Sequence, residues 1–179
     1  MAGDKVTIGS VEITSLSDGL LNLDPCSFFP GITSDDRKVF GDLLNEDRRL
    51  PINLACFLVR SDGRTILVDT GMGPRPVDAP DTPWGKLLDS FQAKGLKPED
   101  VEMVVMTHLH RDHVGWNIQR SNGGYVPTFP NARYYLSVKE WEACHSPDLQ
   151  PQRYAHAPEI VWPMEEMGLM ELVDGEQAL

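Results

Sequence analysis

Residues Val101 to Met106 form a short run that is apolar at nearly every position and rich in β-formers. A polar cluster follows without a break: Thr107-His108-Leu109-His110-Arg111-Asp112-His113. An apolar run of that length fits a strand covered on both faces, inside a sheet flanked by helices. The C-terminal rim of such a strand is where α/β sheets bind ligands. Three of the chain's five histidines lie between positions 108 and 113. Imidazole and carboxylate suit zinc, and iron or manganese nearly as well. His108 and His110 are two apart and converge where the loop is extended. Asp112 and His113 are adjacent and point differently. Four ligands on six residues do not easily reach one tetrahedral ion, so the spacing favours a split between two. Two metals ~3.5–4 Å apart can share a hydroxide and clamp a substrate oxygen.

The rest of the chain frames this loop. Val6, Ile8, Val11 and Ile13 alternate around Gly9-Ser10, which reads as two short strands or a hairpin. Leu20 to Ile32 is loop-like. Ser34-Asp35-Asp36 reads as a helix cap, followed by Val39, Phe40, Leu43 and Leu44 at helical spacing. Ile52 to Arg60, the turn Ser61-Asp62-Gly63, and Thr65 to Asp69 form a hairpin. Pro74 to Pro83 is a proline-rich loop. Trp84 to Lys94 is an amphipathic helix closed by Gly95. Arg133 to Ser137 is a strand, Val138 to Cys144 a short helix, Pro158 to Met167 a helix and Leu169 to Val173 a strand. Strands and helices alternate, so the class is α/β. No linker divides the chain, which reads as a single domain over 1–179.

Composition removes several function classes. The 179 residues carry 16 basic and 27 acidic side chains, a net charge of −11, and lack the clustered cations that track phosphates. Nucleic acid and anionic membrane surfaces are therefore excluded as partners. No run approaches the ~18 apolar residues of a membrane span. Cys26, Cys56 and Cys144 form no paired motif, which points to a reducing compartment. With no signal-peptide pattern at Met1-Ala-Gly-Asp-Lys-Val, the expected location is cytoplasmic.

The string His108-Leu-His-Arg-Asp-His113 resembles the HxHxDH signature of the metallo-β-lactamase superfamily. Val114-Gly115-Trp116-Asn117 continues it in the manner of the lactonase-like branch. Ile66-Leu67-Val68-Asp69-Thr70-Gly71 is similar to the family's strand ending in Asp-Thr-Gly. Ser17-Asp18-Gly19 and Pro127 to Ala132 look like segments of the same branch. The resemblance runs from about Val6 to about Asp174. It implies an αββα sandwich with the metal site at one edge. It also implies His108 and His110 on a first zinc, and Asp112 and His113 on a second. Asp112 would in addition orient the hydroxide or take its proton. Asp69, and with it Thr107, would brace the metal loop as an outer acceptor, unless Asp69 only ends its strand as a turn residue. Gly115 would permit close backbone approach. The implied reaction is hydrolysis of a small ester, lactone or thioester.

The family completes its site with further histidines and a bridging aspartate beyond this region. His145 and His156 do not stand in matching contexts. The chain therefore reads as an N-terminal, incomplete portion of the sandwich. Its zinc binding is expected to be weak and its activity impaired. The apolar runs Ile52 to Leu58 and Val101 to Met106 are expected to lose part of their cover, with aggregation or a homo-oligomer as the consequence. The alternative is a non-catalytic fragment or interaction module that keeps the metal loop.

Overall fold

A computed structural model describes residues 5–176 of the chain. The strands are β1 (Lys5–Ile8), β2 (Val11–Leu23), β3 (Leu50–Ser61), β4 (Arg64–Val68), β5 (Met103–Val105), β6 (Ile118–Ser121), β7 (Gly124–Pro127), β8 (Arg133–Ser137) and β9 (Met170–Val173). Seven of them form one sheet in the order β1-β2-β3-β4-β5-β8-β9, and β6 and β7 form a separate hairpin. Pairing is antiparallel from β1 to β4 and parallel from β4 to β9. The helices are α1 (Pro25–Phe28), α2 (Leu87–Ala93), α3 (Arg111–Val114), α4 (Val138–His145), α5 (Gln150–Arg153), α6 (Ala157–Ile160) and α7 (Trp162–Glu166).

One face of the sheet is the core. Leu16 pairs with Cys56, Leu58 with Leu67, Leu67 with Val104 and Val104 with Tyr134, so these side chains share that face. Leu87 and Phe91 of α2, Cys144 of α4, and Ala157, Ile160 and Met164 of α6 and α7 close over it. The opposite face is partly open. Ile13 pairs with Val59 and Phe57 with Val68 there, and Phe57 is 43% exposed.

The loss of cover expected for the two runs is greatest at β3; Val105 of β5, on the same face, is half-buried. Val101, Met103, Val104 and Met106 are no more than 4% exposed. Val101, Val104 and Met106 lie in the helix-covered core, and the Arg64 guanidinium lies against the Met103 sulfur at 3.8 Å. Long charged stems cover apolar surface in this way.

Several boundaries differ from the sequence expectation. The helix over Val39 to Leu44 is absent, replaced by two 3-10 turns at Ser34–Val39 and Gly41–Leu43. Gly41 adopts φ +43°, and Val39 and Leu43 are exposed, so no buried stripe sustains a helix. β2 continues to Leu23 instead of giving way to a loop at Leu20, because it pairs with β3 as far as Leu50. The helix expected from Trp84 begins at Leu87; Gly85 has φ +78° and Trp84 bridges to Gly19. The helix over Pro158 to Met167 is two short ones, the second with Pro163 in its first turn.

Candidate metal centre

The parallel strands β4, β5 and β8 deliver three loops to one rim. Asp69 follows β4, Thr107 to His110 follow β5, and α4 with Glu140 follows β8. The three histidines of the middle loop come together. The His108 ring lies 4.6 Å from that of His110 and 3.9 Å from that of His113.

Asp69 organises this loop. It is 7% exposed and holds φ +58°, a left-handed conformation that aspartate tolerates better than most residues. Its Oδ1 accepts the Thr107 backbone N–H at 2.8 Å, and its Oδ2 accepts from the Thr107 hydroxyl and from His113 Nδ1, both at 2.8 Å. A hydroxyl has one proton. Since Thr107 gives its proton to Asp69, its oxygen accepts from His108 Nδ1 at 3.1 Å. Asp69 thereby holds the Nδ1–H of His113 directly and that of His108 through Thr107. The Nε2 atom of His108 is left with its lone pair.

His113 Nε2 faces Asp112 Oδ2 at 3.4 Å. Two ligands at 2.0–2.1 Å from a tetrahedral zinc stand about 3.4 Å apart, so this pair fits one ion. Among the described residues no group of three His, Cys, Asp or Glu side chains is arranged around one point. Electrostatics match a cation site. Carboxylates at both ring nitrogens, Asp112 first and Asp69 second, push the His113 pKa up to about 9. The same contact with His113 lowers that of Asp112. Burial, and then the neighbouring His113 and His110, lower that of His108.

The peptide between the first two histidines is clamped from both sides. The Leu109 N–H donates to Glu140 Oε1 at 2.9 Å, and the Leu109 carbonyl lies 2.7 Å from His156 Nε2, which donates to it. Tyr154 donates its hydroxyl to the same Glu140 oxygen. Neither residue stands out in the sequence. Ser137-Val-Lys-Glu140 reads as a capping box, in which Glu140 would reach back to the N-cap. Ser137 does cap α4, accepting the Glu140 N–H, but the Glu140 carboxylate serves the loop. His145 is turned away, bonded to the Trp141 carbonyl in its own helix.

A second buried carboxylate holds the frame. Asp18, fully buried in β2, accepts the backbone N–H groups of Met72, Gly73, Lys86 and Leu87 and the Trp116 indole N–H. Burial pushes its pKa up, against the pull of these donors. Trp116 is therefore a core residue anchored on Asp18. Gly115 closes α3, and a Cβ there would stand 2.0 Å from the Met72 carbonyl. Thr70 donates to the buried Asn117 side-chain oxygen at 2.9 Å, tying the Asp-Thr-Gly loop to the end of the histidine segment.

Comparison with known proteins identifies the family and the fold. The family model of the metallo-beta-lactamase superfamily matches residues 51–172. The chain belongs to that superfamily. An N-acyl homoserine lactonase, AttM of Rhizobium radiobacter, is 28% identical over 116 residues, 57% of this chain and 40% of the relative. Metallo-beta-lactamase domain-containing protein 1 of Mus musculus is 44% identical over 54 residues, 29% of this chain and 20% of that protein. Among solved structures, AidC, a dizinc quorum-quenching lactonase in complex with a product, superposes with a TM-score of 0.81 at 24% identity. The match covers 98% of this chain and 62% of AidC. The superfamily fold is thus that of these lactonases, and the chain spans 40% of the length of the AttM it matches. No helix among the described residues is long and apolar enough to cross a membrane.

Proposed function

We propose that the chain carries the metal loop of a zinc-dependent hydrolase acting on small lactones or esters, with thioesters as the nearest alternatives. The observation that carries this reading is the Asp69-braced loop, with its three imidazoles and Asp112 gathered at the rim beside β5. The relatives named as homoserine lactonases supply the substrate class.

In this reading His108 and His110 hold one zinc, and Asp112 and His113 a second. Iron or manganese suits the same donors. When bound at these residues, zinc would lower the pKa of water towards neutrality. The chain's own residues do the rest. Asp69 takes the His113 Nδ1–H and leaves Nε2 for the ion; Thr107 does the same for His108. Asp112 would also orient the water held there or take its proton. The clamp on Leu109 fixes the spacing between His108 and His110. Small neutral substrates suit a chain of net charge −11 better than polyanions.

Each ion has two protein ligands in this reading, where catalytic zinc normally has three. Zinc affinity weaker than micromolar and slow turnover are expected from the chain alone. The cytoplasmic placement rests on the three cysteines, none of them in a disulfide. The test is hydrolysis of a panel of homoserine lactones and aryl esters by the zinc-supplemented chain, beside Asp112→Asn. Slow zinc-dependent turnover that the variant loses supports the reading. Turnover indifferent to zinc, or none above the variant, overturns it.

A further inference from the structure

The hairpin of β6 and β7 lies outside the seven-stranded sheet and turns through Ser121-Asn122-Gly123-Gly124. Asn122 and Gly123 hold φ +48° and +82°, the two positive values of a type I′ turn, and all four turn residues are exposed. Asn-Gly is the pairing this turn favours, because both residues enter the left-handed region. The same pairing puts a carboxamide carbon next to a backbone nitrogen that no Cβ shields.

Asn122 differs from the other asparagines in two respects. It alone precedes a glycine; the others precede Leu23, Glu46, Leu54, Ile118 and Ala132. The side chains of those five are engaged. Asn45 donates to Asn22 and accepts the Arg49 N–H, and Asn53 accepts the Ser17 hydroxyl. Asn117 accepts from Thr70, and Asn131 donates to the Glu99 carbonyl. Among the described residues, neither the Asn122 carboxamide nor the Gly123 N–H has a hydrogen-bond partner. A Cβ added at Gly123 would meet nothing within 4 Å. Rotating the Asn122 backbone to bring the Gly123 nitrogen onto Cγ therefore breaks no side-chain bond and displaces no packed neighbour. Asp62-Gly63 makes the same turn at φ +50° and +80°, but a carboxylate resists attack and has no ammonia to lose.

We propose that Asn122 is a site of spontaneous deamidation and isoaspartate formation in the folded chain. The Gly123 nitrogen gives its proton to solvent and bonds to Asn122 Cγ, and the side-chain nitrogen leaves as ammonia. The succinimide so formed takes up one water. Opening at the side-chain carbonyl gives aspartate at this position, and opening at the main-chain carbonyl gives isoaspartate. Either product adds a negative charge two residues from Arg120. Isoaspartate also inserts a methylene into the main chain, which a two-residue turn cannot absorb while Ser121 stays opposite Gly124 and Arg120 opposite Tyr125. The sheet that carries the histidine loop contains none of these residues, so the proposal stands whether or not the hydrolase reading holds.

The whole chain, kept folded in buffer at pH 7.4, tests this. Samples taken over several days are digested with trypsin, which releases Ser121 to Arg133 as one peptide. That peptide holds Asn122 and Asn131 together, so fragmentation assigns the mass gain of deamidation to one or the other. Loss of Asn122 at least tenfold faster than loss of Asn131 is expected. Isoaspartate, read by its methylation with an isoaspartyl methyltransferase, is expected to exceed aspartate. The rate is expected to rise at pH 8.5, because the attacking nitrogen must give up its proton. Asn122→Gln is expected to leave the mass of that peptide unchanged over the same period. Loss of Asn122 no faster than loss of Asn131, or loss only when the chain is unfolded in urea, overturns the proposal.

Discussion

At the scale of single residues, the carboxylates and the second layer of histidine contacts carry the site. Asp69 joins the end of β4 to Thr107 and His113, and reaches His108 through Thr107. Asp69→Asn replaces an acceptor of several N–H and O–H groups by an amide whose NH₂ opposes one of them. Zinc affinity is expected to fall about 10–100-fold, as for other outer-layer partners of metal-binding histidines; competition against a chromophoric chelator measures it. His156 acts on the same loop through the Leu109 carbonyl. His156→Ala leaves that carbonyl without its partner and is expected to cost about 1–3 kcal/mol at pH 8. Burial holds the His156 pKa below its ordinary 6.5, with the Leu109 bond and the Asp112 charge opposing, and Arg111 and His110 assisting. The folded state thus binds fewer protons than the unfolded chain, so this contribution is complete above pH 6.5 and fades as pH falls below it. Urea denaturation of wild type and variant at pH 8 and pH 5.5 checks the sign: the gap must narrow in acid.

At the scale of elements, Asp18 shows how a strand places a loop it never touches in sequence. A register shift between Ser17 and Leu20 marks an irregularity in β2 at this point. The carboxylate there gathers the loop after β4, the start of α2 and Trp116 beyond α3. Asp18→Asn keeps the shape but sets an NH₂ against N–H donors. A loss of about 2–3 kcal/mol is expected, read from the urea midpoint at constant m-value. The elements themselves were legible to different degrees. The β3–β4 hairpin and the β5 strand were readable, because alternation and turn chemistry are local. So was the gathering of the three imidazoles, because His108, His110 and His113 lie within six positions. Glu140, His156 and Asp18 were not, since each acts on a peptide at least 31 residues away, and nothing local marks that use. The segment over Val39 to Leu44 misled for the complementary reason: helical spacing is present, but no surface is there to receive the stripe.

At the scale of the whole molecule, the net charge of −11 opposes compaction, and cations of two kinds relieve it. Simple salt screens all the charges together. On the proposed reading, zinc at the histidine loop should do something salt cannot, because it would bind the folded arrangement of His108, His110, Asp112 and His113. At a free zinc concentration about ten times Kd, linkage gives about 1.4 kcal/mol of added stability. For a chain of this size that is a rise of about 3–6 °C in Tm. Magnesium at equal ionic strength favours water and multiple oxygen ligands over imidazole, so it should act only as salt does. Scanning calorimetry separates the two contributions. The zinc increment over magnesium should shrink in His113→Ala, which keeps the His108–His110 pair, and vanish when His108 is replaced by Ala as well, while the response of both variants to sodium chloride stays. Equal increments from zinc and magnesium in the wild-type chain would mean that the loop is an acidic surface relieved by any cation, and its imidazoles would then have no part in holding one.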